Sequence, residues 1–111
     1  MAPTVWYHVR DLDEARHFYR ELLAFEETGV DLSERWSELR RGAMEIGLAE
    51  GEPEPDGPVA HVDVADAKAE AERLRAAGVE VGVVVEIPHG EMRLLDVYDS
   101  DGNRIQLAQE L

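Results

Sequence analysis

Between Thr4 and Val9 the chain alternates, with Val5, Tyr7 and Val9 on one face of an extended segment and Thr4, Trp6 and His8 on the other. Asp11 or Asp13 is placed to cap a following helix. From Glu14 to Leu23, Ala15, Phe18, Tyr19, Leu22 and Leu23 recur at helical spacing while Arg16, Arg20 and Glu21 point away. Strands are predicted next at Phe25 to Val30, Arg35 to Arg40 and Ala43 to Ala49, broken by Asp31-Leu32-Ser33-Glu34 and by a turn at Arg41-Gly42. In the last of these, Met44, Ile46 and Leu48 face the helix and Ala43, Glu45 and Gly47 lie opposite.

The second half repeats the plan. Val59 to Val64 is a predicted strand, Asp66 to Ala77 a helix closed by Gly78, and Val79 to Ile87, Glu91 to Tyr98 and Arg104 to Ala108 are the remaining strands. Asp99-Ser100-Asp101-Gly102-Asn103 suits a tight hairpin. The stretch between, rich in Pro, Gly and acid, lacks periodicity and reads as an exposed linker. The expectation is one α+β domain over 1–111: a module over about 1–50, a linker at 51–57 and a module over about 58–111. Each module is βαβββ, and a pseudo-two-fold arrangement of the pair forms a curved sheet cup.

Composition narrows the partners. With 25 acidic and 11 basic residues the net charge is −14. That repels polyphosphate and argues against nucleic acid or an anionic membrane, leaving a neutral or cationic small molecule. Cysteine is absent, which removes disulfides, thiolate metal sites and cysteine nucleophiles and fits a reducing compartment. No apolar run approaches the roughly 18 residues of a membrane span, so the cytoplasm is the expected location.

Three stretches carry a resemblance: Val9 to Asp13 followed by His17 to Phe25, Leu74-Arg75-Ala76-Ala77-Gly78-Val79, and Asp99 to Leu107. Together they resemble the vicinal oxygen chelate superfamily, which groups glyoxalases, bleomycin-resistance proteins and extradiol dioxygenases. Ala24 stands where that family usually has Gly, and Ser100 where it usually has Pro. The resemblance implies a homodimer, and in many members a divalent metal held from the first and last strands of each half. The matching positions here are Thr4, Val59, Glu45 and Gln106. Of these, Glu45 is one good ligand and Gln106 a poor one, so neither a metal nor another cofactor is assigned, although a divalent metal stays open.

The candidate site follows from the inward faces. His61 and His8 share the side of the ligand positions, His61 one strand step further along, about 6.5 Å, too far for a metal bond. His61 and Glu45 are the candidate acid–base pair, with Trp6, His8, Asp63, Leu94, Asp96 and Gln106 as candidate ligand-binding residues. Arg93 or Arg104 is the expected partner of Glu45, while Trp6, Trp36 and Tyr98 offer aromatic faces. The function expected is small-molecule binding in the cup without the complete family metal site. The alternative is a lyase, isomerase or dioxygenase of the same superfamily, working through Glu45 with His61 or Gln106 on a metal, or metal-free through His61 and Glu45.

Overall fold

In the computed structural model, which describes residue 3 and residues 5–111, the same supersecondary unit occurs twice. Strand β1 (Val5–Val9) leads into helix α1 (Leu12–His17), followed by β2 (Glu26–Asp31), β3 (Trp36–Arg41) and β4 (Met44–Glu50). The second unit comprises β5 (Ala60–Asp63), α2 (Ala67–Ala76), β6 (Glu80–Val81), β7 (Val85–Glu86), β8 (Met92–Tyr98) and β9 (Arg104–Glu110). One sheet has the order β1-β4-β3-β2. The other runs β5-β9-β8, with β6 and β7 sharing the outer edge of β8. In both sheets the first strand is parallel to the last and all other pairings are antiparallel.

Local chemistry sets the differences from the expected boundaries. The Asp11 carboxylate accepts the Glu14 backbone N–H at 3.1 Å, so α1 starts at Leu12, earlier than its apolar spacing suggests. The helix ends in a π-helical turn, Phe18–Leu22, where the Leu23 N–H donates to the Phe18 carbonyl at 3.2 Å. The single strand expected over 79–87 is two short ones. Between them the Gly82 N–H donates to the Asp96 carbonyl at 2.8 Å while Val83 turns out to solvent, 73% exposed.

The inward alternation is obeyed on β1, β4, β5, β8 and β9, while on the bulged β2 Val30 faces solvent and Glu27 turns inward to Arg16. Tyr7, Val9, Leu39, Ile46 and Leu48 pack beneath Leu12, Ala15 and Tyr19 of the first helical segment. Val62, Leu95, Val97, Ile105 and Leu107 pack beneath Ala71 and Leu74 of α2, and the two groups merge into one apolar core. Polar contacts lock the merger. The Tyr19 hydroxyl donates to the buried Asp99 carboxylate at 2.7 Å, and that carboxylate also accepts from the Asn103 side-chain amide and from the backbone N–H groups of Asp101 and Asn103. The Tyr7 hydroxyl accepts from the Ala60 N–H at 2.8 Å and donates to the Arg104 carbonyl at 2.7 Å. On the other flank Glu70 of α2 pairs with Arg41 at the end of β3 and with Arg73 at 2.6 Å.

Burial raises both phenols. Tyr7 is pushed up to about 12, the Asp99 charge adding to the effect against the opposing Ala60 hydrogen bond, and Tyr19 is raised well above its ordinary value by burial and by Asp99. A folded value above the unfolded one, near 10, means this stabilisation is whole below pH 10. It is lost as pH rises through the folded values. Tyr19→Phe should cost about 1–3 kcal/mol at neutral pH, since it leaves Asp99 short of a donor, and should make the alkaline loss of stability shallower. Urea unfolding at a series of pH values checks both. Ala24 holds a left-handed φ of 57°, which a Cβ disfavours. Ala24→Gly should therefore raise stability by about 0.5–1 kcal/mol in the same assay.

Candidate functional site

Strand alternation leaves each sheet one face turned from the helices, and these faces differ chemically. On the second sheet the register aligns His61 of β5, Gln106 of β9 and Asp96 of β8 in one row. The Gln106 amide donates to Asp96 Oδ1 at 3.2 Å, and Arg104 Nη1 lies 3.5 Å from Asp96 Oδ2. Asp96 is thus held between an amide and a guanidinium, with the exposed His61 imidazole at the end of the row. Val83, Val85 and Leu94 form, with Asp96 and Gln106, a cleft of about 240 Å³ beside it.

The first sheet presents aromatic surface instead. Trp6 of β1 lies opposite Gly47 of β4, and a Cβ built on Gly47 would come within 2.3 Å of the indole ring. The ring therefore lies directly on the backbone of β4, with a residual exposure of 36%. Glu38 and Trp36 face the same side from β3, opposite Gly47 and Ala49. His8 is turned toward the linker, its Nδ1 3.3 Å from Glu54 Oε1.

Some expected groupings are present and others are not. His61, Gln106 and Asp96 come together, Leu94 flanks them, and Asp63 follows His61 on the same face, opposite Ala108. Glu45 belongs to the other sheet, opposite Arg40. Among the described residues no hydrogen bond or ion pair joins it to His61. Neither expected arginine pairs with Glu45: Arg104 pairs with Asp96, and Arg93 with Glu86 at 3.3 Å. The seat at Gly47 and the pairing of Arg104 with Asp96 were not foreseen from the sequence. Gly47 is the seat of Trp6, and its signal was a glycine amid the alternation of a strand interior. Arg104 is the clamp on Asp96, and its signal was its place two residues before Gln106 on one face.

The internal repeat tests the metal implied by the resemblance. Asp11 and Asp66 are equivalent helix caps, which makes Trp6 equivalent to His61 and, by register, Gly47 equivalent to Gln106. The closing-strand position of the first half thus falls on Gly47, with Glu45 equivalent to Arg104. Thr4 lies outside the described residues. Val59 and Gly47 offer no side-chain donor, and Gln106 offers an amide already engaged by Asp96. Among the described residues no three His, Asp or Glu side chains are placed to hold a metal ion. The donors present do not fit the family metal.

Gly47→Ala should expel the Trp6 indole from its seat. The expected result is a red-shifted tryptophan emission with unchanged far-ultraviolet circular dichroism, and an unshifted emission would contradict the packing described.

Comparison with known proteins agrees with the fold. The family model described as Glyoxalase/Bleomycin resistance protein/Dioxygenase superfamily matches residues 3–107. An integron cassette protein from the mobile metagenome of the Halifax Harbour sewage outfall is similar at 22% identity, covering 95% of this chain and 94% of that one, with a TM-score of 0.82. The fosfomycin resistance protein FosX from Listeria monocytogenes is similar at 20% identity over 100% and 93% of the two chains, TM-score 0.81. Lactoylglutathione lyase from Agrobacterium tumefaciens follows at 17% identity over 98% and 92%, TM-score 0.76. No curated protein matches the chain significantly. Likeness at this level of identity speaks to the fold, and the match of the family model across nearly the whole sequence speaks to descent: the chain belongs to the glyoxalase, bleomycin resistance protein and dioxygenase superfamily.

Proposed function

We propose that this protein binds a small organic molecule with a planar part, neutral or cationic, on the faces of its sheets turned from the helices, without the family metal. The seat of Trp6 on Gly47 carries the proposal. An indole laid on a strand backbone is held in orientation while much of its surface stays open, as a stacking platform requires. The polar row of His61, Gln106, Asp96 and Arg104 supplies donors and acceptors for the edge of such a ligand. Acid–base chemistry between His61 and Glu45 has no comparable support, because among the described residues no hydrogen bond or ion pair joins or positions the two.

The two faces complement one another across copies. Trp6 is partly exposed on one, Val83 and Val85 are exposed on the other, and none of the five clefts described among these residues is lined from both. A homodimer that brings the aromatic face of one copy against the polar face of its partner would enclose the ligand.

Titration of planar neutral and cationic heteroaromatics, followed by tryptophan fluorescence, tests the ligand. Saturable quenching is expected, lost in Trp6→Ala and weakened about tenfold in Gln106→Ala, roughly the loss of one good hydrogen bond. Quenching that survives Trp6→Ala unchanged would sink the proposed site. Sedimentation equilibrium should give twice the chain mass of 12.4 kDa, and a monomer at micromolar concentration would refute the pairing.

A further inference from the structure

A second cleft lies on the helix side of the molecule, away from the Trp6 platform and the row of His61, Gln106 and Asp96. It has a volume of about 640 Å³, within the range of small-molecule sites. Phe18 and Leu22 line it from the π-helical turn, Val79 and Glu80 from the connection between α2 and β6, and Glu14 and Ser100 from its rim. The π-turn helps to shape this wall. The Leu23 N–H donates to the Phe18 carbonyl there, and Phe18 and Leu22 are partly buried where they pack against the core.

The charge around this apolar floor is predominantly negative. Glu14, Glu80, Asp99 and Asp101 all line the cleft, against His17 as its one basic side chain, and no lysine or arginine lines it. Asp99 is spent on Tyr19 and Asn103, and Asp101 is 3.2 Å from Arg10. Glu14 accepts only a long 3.3 Å bond from Ser100, and Glu80 enters no ion pair among the described residues. An apolar floor with an aromatic side chain, beneath two carboxylates of low commitment on a chain of charge −14, complements one kind of occupant.

We propose that this cleft between the π-turn of α1 and the end of α2 is a second binding site, for an organic cation with an apolar body and an ammonium head. The body lies on Phe18, Leu22 and Val79, and the head lies between Glu14 and Glu80. The site is independent of the proposed ligand on the sheet faces.

The probe is naphthylmethylammonium, with naphthalenemethanol as the neutral comparison and naphthoate as the anionic one, each followed by amide chemical-shift mapping on the intact protein. Saturable shifts from the cation are expected at Phe18 to Leu23 and at Ala77 to Glu80. The cation should bind at least about threefold more tightly than the alcohol, an advantage that Glu80→Gln and high salt both reduce. Naphthoate should not shift these amides. Equal binding of cation and alcohol, no shifts in these two segments, or shifts confined to the strands bearing Trp6 and His61 would overturn the proposal. The comparison of probes stands whether or not a variant folds.

Discussion

The hydrogen bond from the Tyr19 phenol to the Asp99 carboxylate joins the two halves of the molecule at a point closed to water. Asp99 is also the residue around which the β8–β9 hairpin is wound, since its carboxylate accepts from the backbone N–H groups of Asp101 and Asn103 and from the Asn103 side-chain amide. One carboxylate therefore ends a hairpin in the second half and receives a helix from the first. Tyr7 repeats the logic a short distance away, bridging Ala60 and Arg104 with one hydroxyl. Buried groups this fully satisfied specify one arrangement, because any slip of one sheet against the other strands several polar atoms at once.

The pseudo-two-fold relation gives the molecule a second joint of a different kind. Where α1 meets the 99–103 hairpin, α2 meets the β3–β4 turn through Arg41 and Glu70. Burial pushes the Glu70 carboxyl upward, but Arg41 and Arg73 outweigh it and hold the group below the usual carboxylate range. This ionic joint lies nearer the surface and is the more sensitive to salt, whereas the Tyr19 phenol of the other joint ionises only at high pH. Between them they place the helices inside the junction and leave the other sheet faces turned away from it.

Much of this was legible in the sequence, because it rests on alternation and on caps. The inward set Tyr7, Val9, Ile46 and Leu48 follows from a period of two, and Asp66 caps its helix as an acidic residue before an apolar run should. The early start of α1 and the divided β6–β7 strand were not legible, the latter because it depends on a hydrogen bond to distant backbone, from Gly82 to Asp96. The site was half legible. His61, Gln106 and Asp96 share a face by parity alone, so the sequence could group them. The pairing of Glu45 with His61 needed the relation between two sheets, and the seat of Trp6 needed the register of β1 on β4, neither of which parity supplies.

The internal repeat then explains why the two sheet faces came to differ. Equivalent positions carry Trp6 on Gly47 in one half and His61 beside Gln106 in the other. A large ring demands that its neighbour lose its side chain, because strands about 4.8 Å apart leave no room for both when the ring lies flat across them. An imidazole leaves that room, and the neighbouring position keeps an amide that reaches Asp96. The tryptophan and the glycine are therefore sterically coupled, and the closing-strand position of the first half carries no side-chain donor. The repeat thus sets an indole over bare backbone in one half and an imidazole, an amide and a carboxylate in a row in the other, and the proposed ligand, with a flat face and a polar edge, rests on that difference.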